Sequence, residues 1–394
     1  MSWAGQFQYA IGKTRRAVPS DSMPQFDPAR PTLVCLSHLR WSFVYQRPQH
    51  LMSRFARDAN VLFWEEPIAC DATEPWLDVR GEEDGVHVLV PRLPAGCEGE
   101  AAVQVQRRLL DGYLAELGVR DLLLWYYTPM SQGFSAHLPA RTVVYDCMDE
   151  LSAFRGAPPE LVQRERELLQ RADVVFTGGY SIWEVKRALH ANTHAFPSSV
   201  DVAHFAAART PQQEPEDQRG ITHPRLGFYG VIDERFDVAL LRDIAAQRPQ
   251  WQFVMIGPVV KIDPSELPQA ANIHYLGGKT YDELPGYLSG WDVALMPFAM
   301  NASARFISPT KTPEYLAGGC PVVSTPIHDV VRTYGDTGVV RIADTADAFV
   351  AACAAALQDS ADRGQLLDSA DAVLGDMSWD HTYALMKETL SWKQ

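Results

Sequence analysis

The stretch FISPTKTPEYLAGGCPVVSTP, residues 306–326, contains a short helical segment followed by a short strand. The helical segment lies near residues 312–316 and ends at the pair Gly318-Gly319, because glycine readily ends a helix. Pro321 then precedes the apolar, β-branched run 322–324. A continuously apolar run indicates a strand covered on both faces, as in the parallel sheet of an α/β domain.

Lys311 and Glu314 give this stretch polar groups that suit a nucleotide. A helix start offers free N–H groups and a partial positive charge to a phosphate, and Lys311 would add a full charge there. A carboxylate such as that of Glu314 can accept hydrogen bonds from a ribose diol, as in dinucleotide-binding folds. From the spacing alone, a surface lysine and glutamate beside an ordinary turn fit the pattern equally well.

The alternation of apolar runs and helical segments repeats along the chain in two series. Between them lies RTPQQEPEDQRGITH, residues 209–223, whose prolines, acids and scarcity of apolar residues indicate a linker. Two doubly wound α/β units in tandem are therefore predicted, with ligands at the carboxyl ends of the strands and in a cleft across which the units face each other. The predicted strands are residues 33–36, 61–64, 86–90, 122–126, 143–145 and 174–177, then 226–229, 253–256, 273–276, 293–296, 322–324 and 339–342.

These patterns divide the chain into five predicted parts. They are a lead-in (1–30), a first Rossmann-like domain (31–206), a linker (207–223), a second Rossmann-like domain (224–376) and a helix that packs back toward the first domain (377–394).

Composition excludes several classes of protein. The 394 residues carry 35 Lys and Arg against 49 Asp and Glu, a net charge of −14 that argues against a dedicated nucleic-acid binder. None of the six cysteines forms a Cys-x-x-Cys pair, which disfavours zinc ribbons and thioredoxin-type chemistry. The sequence has no apolar run long enough to span a membrane, no signal-peptide pattern and no Gly-x-Gly-x-x-Gly after a predicted strand. We therefore expect a cytoplasmic protein that is not a nicotinamide-dependent oxidoreductase.

The order of several motifs resembles the glycosyltransferases of the GT-B type, family 4. The pattern Pro309-x-Lys311-x-x-Glu314-Tyr-Leu-Ala-x-Gly319 is similar to the donor-site motif of that family, and the similarity extends roughly from Pro31 to Trp392. The opening residues 37–51, with Ser-His-Leu-Arg-Trp and Gln-Arg-Pro-Gln-His-Leu, resemble a subgroup of teichuronic-acid-type polysaccharide transferases. Further similar segments are residues 196–205, 227–235, 253–258, 272–277, 281–285 and 379–382.

This resemblance implies a nucleotide-sugar transferase with two Rossmann-like domains. The donor would be a UDP- or GDP-sugar and the acceptor a polysaccharide or lipid-linked glycan, with retention of configuration. Neither a metal nor a cofactor is expected, because no Asp-x-Asp motif stands in a clear strand-end context. Nucleic acid is not expected as a partner. Peripheral contact with the inner membrane face is expected, and residues Lys13–Arg16 form a small cationic cluster that suits such contact.

The resemblance also implies which residues bind the donor. In that family the glutamate that matches Glu314 binds the ribose, and fixed cations meet the pyrophosphate, where Arg235 and Lys261 are the candidates. A solvated surface charge is the alternative for each cation. The further donor-binding candidates are Lys311, Gly230, Tyr281, Ser308 and Thr310.

One position departs from the family pattern. Members typically carry a pair of glutamates, and the first lies eight residues before the one that matches Glu314, where this chain has Phe306. That glutamate normally supports the reacting sugar, so the donor sugar and the stereochemical outcome are left open. Ser303, Arg305 and Ser308 are expected to take over polar contacts, so that the 301–308 loop would read the sugar; a plain connecting loop is the alternative.

Acids and cations of the first domain are candidates for the acceptor side. Asp146 and Asp149 follow the buried run 143–145, where a ligand would meet the strand end, and are predicted as catalytic residues together with Arg235. A helix cap is the alternative for Asp146. His38, Arg40 and Arg47 flank the first strand–helix junction and are predicted to face the acceptor, with a structural histidine as the alternative for His38.

Two other functions remain open. A nucleotide-sugar epimerase can use the same fold, although its acid- and histidine-rich centre cannot be assembled from this sequence. A nucleotide-binding member with a decayed active site is the second alternative, which the absent first glutamate supports.

Overall fold

The computed structural model describes residues 26–82, 84–302, 304–359 and 363–391. The Lys13–Arg16 cluster, Ser303 and most of the expected lead-in lie outside these residues. The chain divides into two compact units, one formed by the chain through Phe196 and again from Tyr383 onward, the other by Pro197–Thr382.

The first unit is built on a nine-stranded sheet with the order β3-β5-β2-β1-β6-β7-β8-β9. Every pairing is parallel except that of β4, which runs antiparallel to β5. The central strands are fully buried because their side chains are apolar on both faces. The strands are β1 (Thr32–Leu36), β2 (Asn60–Trp64), β3 (Ile68–Cys70), β4 (Trp76–Gly81), β5 (Val86–Pro94), β6 (Leu122–Tyr126), β7 (Thr142–Cys147), β8 (Val174–Thr177) and β9 (Thr193–Ala195).

Helices cover this sheet and are amphipathic. In α4 only Leu161, Leu168 and Leu169 are buried, whereas its charged residues stay accessible. The helices are α1 (Arg47–Phe55), α2 (Gly99–Glu116), α3 (Gln132–Ser135), α4 (Leu161–Arg171) and α5 (Tyr180–Lys186).

The second unit is built on a six-stranded parallel sheet with the order β12-β11-β10-β13-β14-β15. The strand order reverses between β10 and β13, so this sheet has its switch point there, where ligands bind in doubly wound folds. The strands are β10 (Arg225–Tyr229), β11 (Gln252–Ile256), β12 (Ile273–Tyr275), β13 (Val293–Met296), β14 (Val322–Ser324) and β15 (Val340–Ile342). The helices are α6 (Val202–Ala206), α7 (Glu216–Arg219), α8 (Val238–Gln247), α9 (Leu284–Leu288), α10 (Lys311–Ala317), α11 (His328–Tyr334), α12 (Ala346–Asp359) and α13 (Arg363–Leu374).

The last helix, α14 (Trp379–Thr389), begins in the second unit and ends in the first. Within the second unit, the Thr382 hydroxyl is 2.7 Å from that of Ser199. Within the first, Tyr383 packs edge-on against Phe55 and Lys387 donates to Asp58 over 2.5 Å. The first unit is therefore completed by a segment from the far end of the sequence.

The structure places the boundary between the units ten residues earlier than the sequence analysis did. Residues 197–206 belong to the second unit because Phe205 of α6 is fully buried in its hydrophobic core. The segment predicted as a linker is packed as well, since the buried side chain of Gln218 accepts from Trp291 Nε1 at 2.8 Å and donates to the Tyr287 carbonyl at 3.1 Å. Polar composition here reflects hydrogen bonds to the unit.

No helix in the described part of the chain is both long and apolar enough to cross a bilayer.

Candidate functional site

Of the predicted donor residues, Gly230 and Lys311 meet at the switch point of the second unit, at the end of β10. Gly230 has a left-handed φ of 146°, and a Cβ there would lie 2.6 Å from Lys311 Cε. Gly257, after β11, has a φ of 140°, and a Cβ at that position would collide with the Gly230 carbonyl. Both positions therefore require glycine. Because Gly230 has no side chain, the Lys311 ammonium can approach the carboxyl end of β10.

Glu314 lies on α10, one turn after Lys311, and is almost fully buried. Burial raises its pKa to about 7, while the positive charge of Lys311 and the nearby hydroxyls of Tyr229 and Thr310 oppose that rise. The carboxyl group thus titrates near neutral pH. It can accept hydrogen bonds from a diol, as the sequence predicts.

Two tyrosines form the wall behind Glu314. The Tyr315 hydroxyl accepts from the backbone N–H of Tyr229 at 3.0 Å, and the two rings pack edge-on with centroids 4.7 Å apart. Burial, followed by the charge of Glu314, raises the pKa of Tyr229 well above its usual value, so its hydroxyl keeps its proton and can donate. Sequence analysis did not include Tyr229 because a tyrosine at a strand end looks like an ordinary core residue.

Arg235 is held on its loop by its neighbour Asp233. The Arg235 guanidinium donates to the buried Asp233 carboxylate through Nε at 3.0 Å and Nη2 at 2.7 Å, and a fifth of the arginine side chain stays exposed. The Arg235 carbonyl also accepts from the N–H of Ala299 at 2.8 Å. The cation is therefore fixed in place beside the loop that follows β13.

Lys261 lies in the loop after β11, which is hydrogen-bonded to the loop after β10. The backbone N–H of Ile232 donates to the Pro258 carbonyl, and the Ile232 carbonyl accepts from the N–H of Val260; both distances are 3.0 Å. Lys261 itself has a φ of 63°, which is uncommon for a residue other than glycine. The backbone thus holds the predicted cation in a defined, strained conformation near the β10 loop.

Tyr281 stacks on a residue that sequence analysis missed. The rings of Tyr281 and His204 are parallel to within 9°, with centroids 4.3 Å apart, and His204 Nε2 lies 3.0 Å from the Tyr281 carbonyl oxygen. One face of Tyr281 is therefore covered by His204. His204 lies far from Tyr281 in sequence, so only the fold could show this pairing.

Ser308 and Thr310 lie in the loop that leads into α10. The Ser308 carbonyl accepts from Ser198 Oγ at 2.8 Å, and Thr310 Oγ1 is 3.4 Å from Lys311 Nζ. At the position of the missing acid, the half-buried ring of Phe306 lies 5.3 Å from the guanidinium of Arg305. Thr310 thus joins Lys311 and Glu314, whereas the predicted sugar contacts of Ser308 stay a prediction.

A cavity of about 760 Å³ opens between the β13–α10 loop and α11. Its walls include Arg305 but not Lys311, Glu314 or Gly230. Lining by Met300 and Val331 makes it largely apolar. The polar donor candidates therefore do not line this cavity.

Asp146 and Arg47 of the first unit bind each other in the core. Arg47 donates to the Asp146 carboxylate through Nε at 3.0 Å and Nη2 at 2.8 Å, and its Nη1 donates to the Phe196 carbonyl at 2.7 Å. Both side chains are at most 3% exposed. This placement favours a structural role over the predicted catalytic role of Asp146 and acceptor contact of Arg47.

Asp146 also raises the pKa values of buried groups nearby. Burial first, and the negative charge of Asp146 second, raise the pKa values of Cys35 and Tyr127 well above their usual ranges. Both groups are therefore uncharged at neutral pH. The buried pair of Asp146 and Arg47 lies among neutral partners.

Asp149 lies on the loop after β7 and is partly accessible. Its carbonyl accepts from the N–H of Leu151 at 3.1 Å and from Cys147 Sγ at 3.4 Å. The next residue, Glu150, binds the buried Lys186 ammonium at 2.6 Å, and Glu165 binds the same ammonium at 2.7 Å. This ion cluster fixes the loop that carries Asp149, which remains the catalytic candidate of this unit.

His38 and Arg40 occupy the turn between β1 and α1. His38 is buried, and Arg40 Nη1 donates to the Glu65 carboxylate at 3.0 Å, while Trp41 N donates to the same carboxylate at 2.8 Å. Arg40 therefore fixes the turn to the end of β2. The burial of His38 favours the structural alternative, and its contact with the acceptor stays a prediction.

Among the described residues, no group of three His, Cys, Asp or Glu side chains is arranged to hold a metal ion.

Comparisons with known proteins agree with this fold. Residues 223–359 match the family model for glycosyl transferases group 1, which confirms the resemblance for the segment that carries the donor candidates. The chain is 29% identical over 222 residues to a protein named as a teichuronic acid biosynthesis glycosyltransferase, TuaH of Bacillus subtilis strain 168. That match covers 51% of this chain and 55% of TuaH, so the chain spans about half the length of this relative.

Solved structures share the architecture. Sucrose-phosphate synthase from Thermosynechococcus elongatus has a TM-score of 0.68 at 14% identity, over 92% of this chain and 98% of that one. HepE of Anabaena, solved in complex with UDP and glucose, has a TM-score of 0.66 at 14% identity, over 92% and 99%. At this identity the likeness shows the fold, and the predicted GT-B class of two Rossmann-like units is confirmed.

Proposed function

We propose that this protein is a glycosyltransferase that moves a sugar from a nucleoside diphosphate to a polysaccharide or lipid-linked glycan. The observation that carries the proposal is the meeting of Gly230, Lys311 and Glu314 at the switch point of the second unit, within the segment that matches the glycosyltransferase model. A cation and a diol-binding carboxyl within one helical turn fit a nucleoside diphosphate.

The donor side would work through fixed charge. As the bond between the sugar C1 and the phosphate oxygen breaks, the diphosphate leaves with the electron pair, and Lys311, Arg235 and Lys261 stabilise its growing negative charge. The proposal includes neither a metal nor a cofactor, because these three cations would themselves neutralise the charge on the leaving diphosphate. UDP is the proposed donor nucleotide, since HepE was solved with it.

The acceptor hydroxyl would form the new bond to C1 as its proton passes to the departing phosphate. In this scheme no side chain need act as general base, and the configuration at C1 is retained. Asp149 would orient the acceptor hydroxyl from a loop that Glu150 and Lys186 hold. A polysaccharide acceptor follows the name of TuaH, and we propose action at the cytoplasmic face of the membrane.

The test is a thermal-shift screen of the full chain with UDP, GDP, ADP, dTDP, CMP and NAD. We expect one nucleoside diphosphate to raise the melting temperature, since a ligand at 100 times its dissociation constant stabilises by about 2.7 kcal/mol. The shift should be lost in Lys311→Ala and Glu314→Ala and kept in Lys387→Ala, whose ammonium binds Asp58 in the first unit. Absence of a shift with every diphosphate would contradict the active-transferase proposal and favour a decayed site.

A further inference from the structure

Glu234 presents an unusual carboxylate in the loop between β10 and α8. Both of its carboxylate oxygens are shielded from solvent and have no hydrogen-bond partner among the described residues. The adjacent cation, Arg235, forms its ion pair with Asp233. The backbone carbonyl of Glu234, in contrast, accepts from Asn301 Nδ2 at 2.8 Å.

A shielded carboxylate without a donor is costly because it has lost its water and gained nothing in return. Such a group either has a ligand that is absent from the protein alone or destabilises the loop without benefit. The loop is otherwise well bonded, as Arg235 O accepts from Ala299 N and Ile232 bonds on both sides to the β11 loop. The unmatched acceptor oxygens therefore belong to a firmly held segment.

Glu234 lies beside residues that are candidates for binding the donor and its sugar. It lies next to Arg235 in the loop that follows Gly230, and its backbone carbonyl accepts a hydrogen bond from Asn301. Asn301 begins the loop expected to read the sugar, and in that loop this chain has Phe306 where an acid would be expected. The carboxylate missing from one loop is thus matched by a carboxylate without partners on the neighbouring loop.

We propose that Glu234 accepts hydrogen bonds from hydroxyl groups of the donor sugar and so determines donor specificity. This inference rests on the proposed function. The ligand class is a sugar that offers hydroxyl donors to a carboxylate. The diphosphate is not a ligand of Glu234, since two anions repel each other.

Calorimetry on the full chain separates sugar binding from nucleotide binding. The probes are UDP with UDP-glucose and GDP with GDP-mannose, each measured on the wild type, Glu234→Gln and Glu234→Asp. Glu266→Gln is the matched control, because Glu266 is an exposed glutamate of the same unit.

In Glu234→Gln, which keeps the size of the side chain, we expect unchanged affinity for the free nucleotide and a roughly tenfold or greater loss of affinity for the nucleotide-sugar. Glu234→Asp, which keeps the charge but shortens the reach, should show the same split.

Three outcomes would overturn the inference. Equal weakening of nucleotide and nucleotide-sugar in Glu234→Gln would show that the residue organises the loop rather than binding the sugar. Unchanged affinity for both would show that the carboxylate is not used. A wild type that binds neither nucleotide nor nucleotide-sugar would overturn the proposed function itself, and this inference with it.

Discussion

At the scale of the residue, the ionisation of Glu314 predicts how stability depends on pH. Burial raises its pKa from 4.5 to about 7, so between these values the folded chain binds a proton that the unfolded chain releases. The stabilisation is present below pH 4.5 and is lost as the pH rises through 7. A pKa change of this size corresponds to about 3 kcal/mol at pH 8.

Glu314→Gln tests that sign directly, because the amide keeps the shape of the neutral acid. We expect the variant to be more stable than the wild type near pH 8 and about equally stable near pH 5, as measured by urea unfolding without nucleotide. Burial also raises the pKa of Glu66 to about 7, but that group is common to both proteins and cancels in the comparison. A stability difference that is the same at both pH values would contradict the assignment.

The same scale shows where sequence reasoning about the site succeeds and fails. Lys311 and Glu314 could be predicted because both lie within one helical turn, and local spacing fixes their relation. The pairing of Arg47 with Asp146 joins residues 99 positions apart, and that of His204 with Tyr281 joins residues 77 apart. Side chains that meet only through the fold leave no local pattern, so Asp146 looked like a strand-end acid awaiting a ligand.

At the scale of the element, the approach of β10 to β11 predicts a sharp difference between two glycines. Gly257→Ala would force a side chain onto the Gly230 carbonyl at a φ of 140°, so we expect a loss of stability and of nucleotide binding. Gly112→Ala, inside α2 with nothing within 4 Å of its Cβ, should instead stabilise by about 0.5–1 kcal/mol.

Thermal melting with and without the preferred nucleotide measures both effects. A Gly257→Ala protein that melts and binds like the wild type would mean that the two strand ends can separate freely. A destabilised Gly112→Ala protein would mean that the helix interior is packed more closely than the structure shows.

Elements also differ in how well the sequence predicts them. Most of the twelve predicted strands could be read because they are short, apolar runs, and strands such as β1, β6 and β10 are buried on both faces. The strands β3, β4 and β9 were missed. Their residues are mostly only partly buried, and β3 and β9 are three residues long, which is too short for a pattern that distinguishes a strand from a loop.

At the scale of the whole molecule, the Arg47–Asp146 pair ties distant parts of the first unit together. It joins the start of α1 to the end of β7, and through the Phe196 carbonyl it reaches the last residue before the second unit begins. Because neither side chain reaches solvent, removal of one charge leaves the other buried and uncompensated. Breaking such a pair typically costs about 3–5 kcal/mol.

Asp146→Asn is therefore expected to destabilise the first unit by about that amount, whereas Glu167→Gln should change its stability by less than about 1 kcal/mol. The control removes a partner of Arg164 from an ion pair in which both side chains are over 40% exposed. A chain with two units need not unfold in one step, so amide hydrogen exchange in β1, β6 and β7 is the better measurement. Faster exchange there, with β10 and β11 unchanged, would place the effect in the first unit. Unchanged exchange in the Asn variant, together with a loss of sugar transfer, would instead return Asp146 to the catalytic role that its strand-end position suggested.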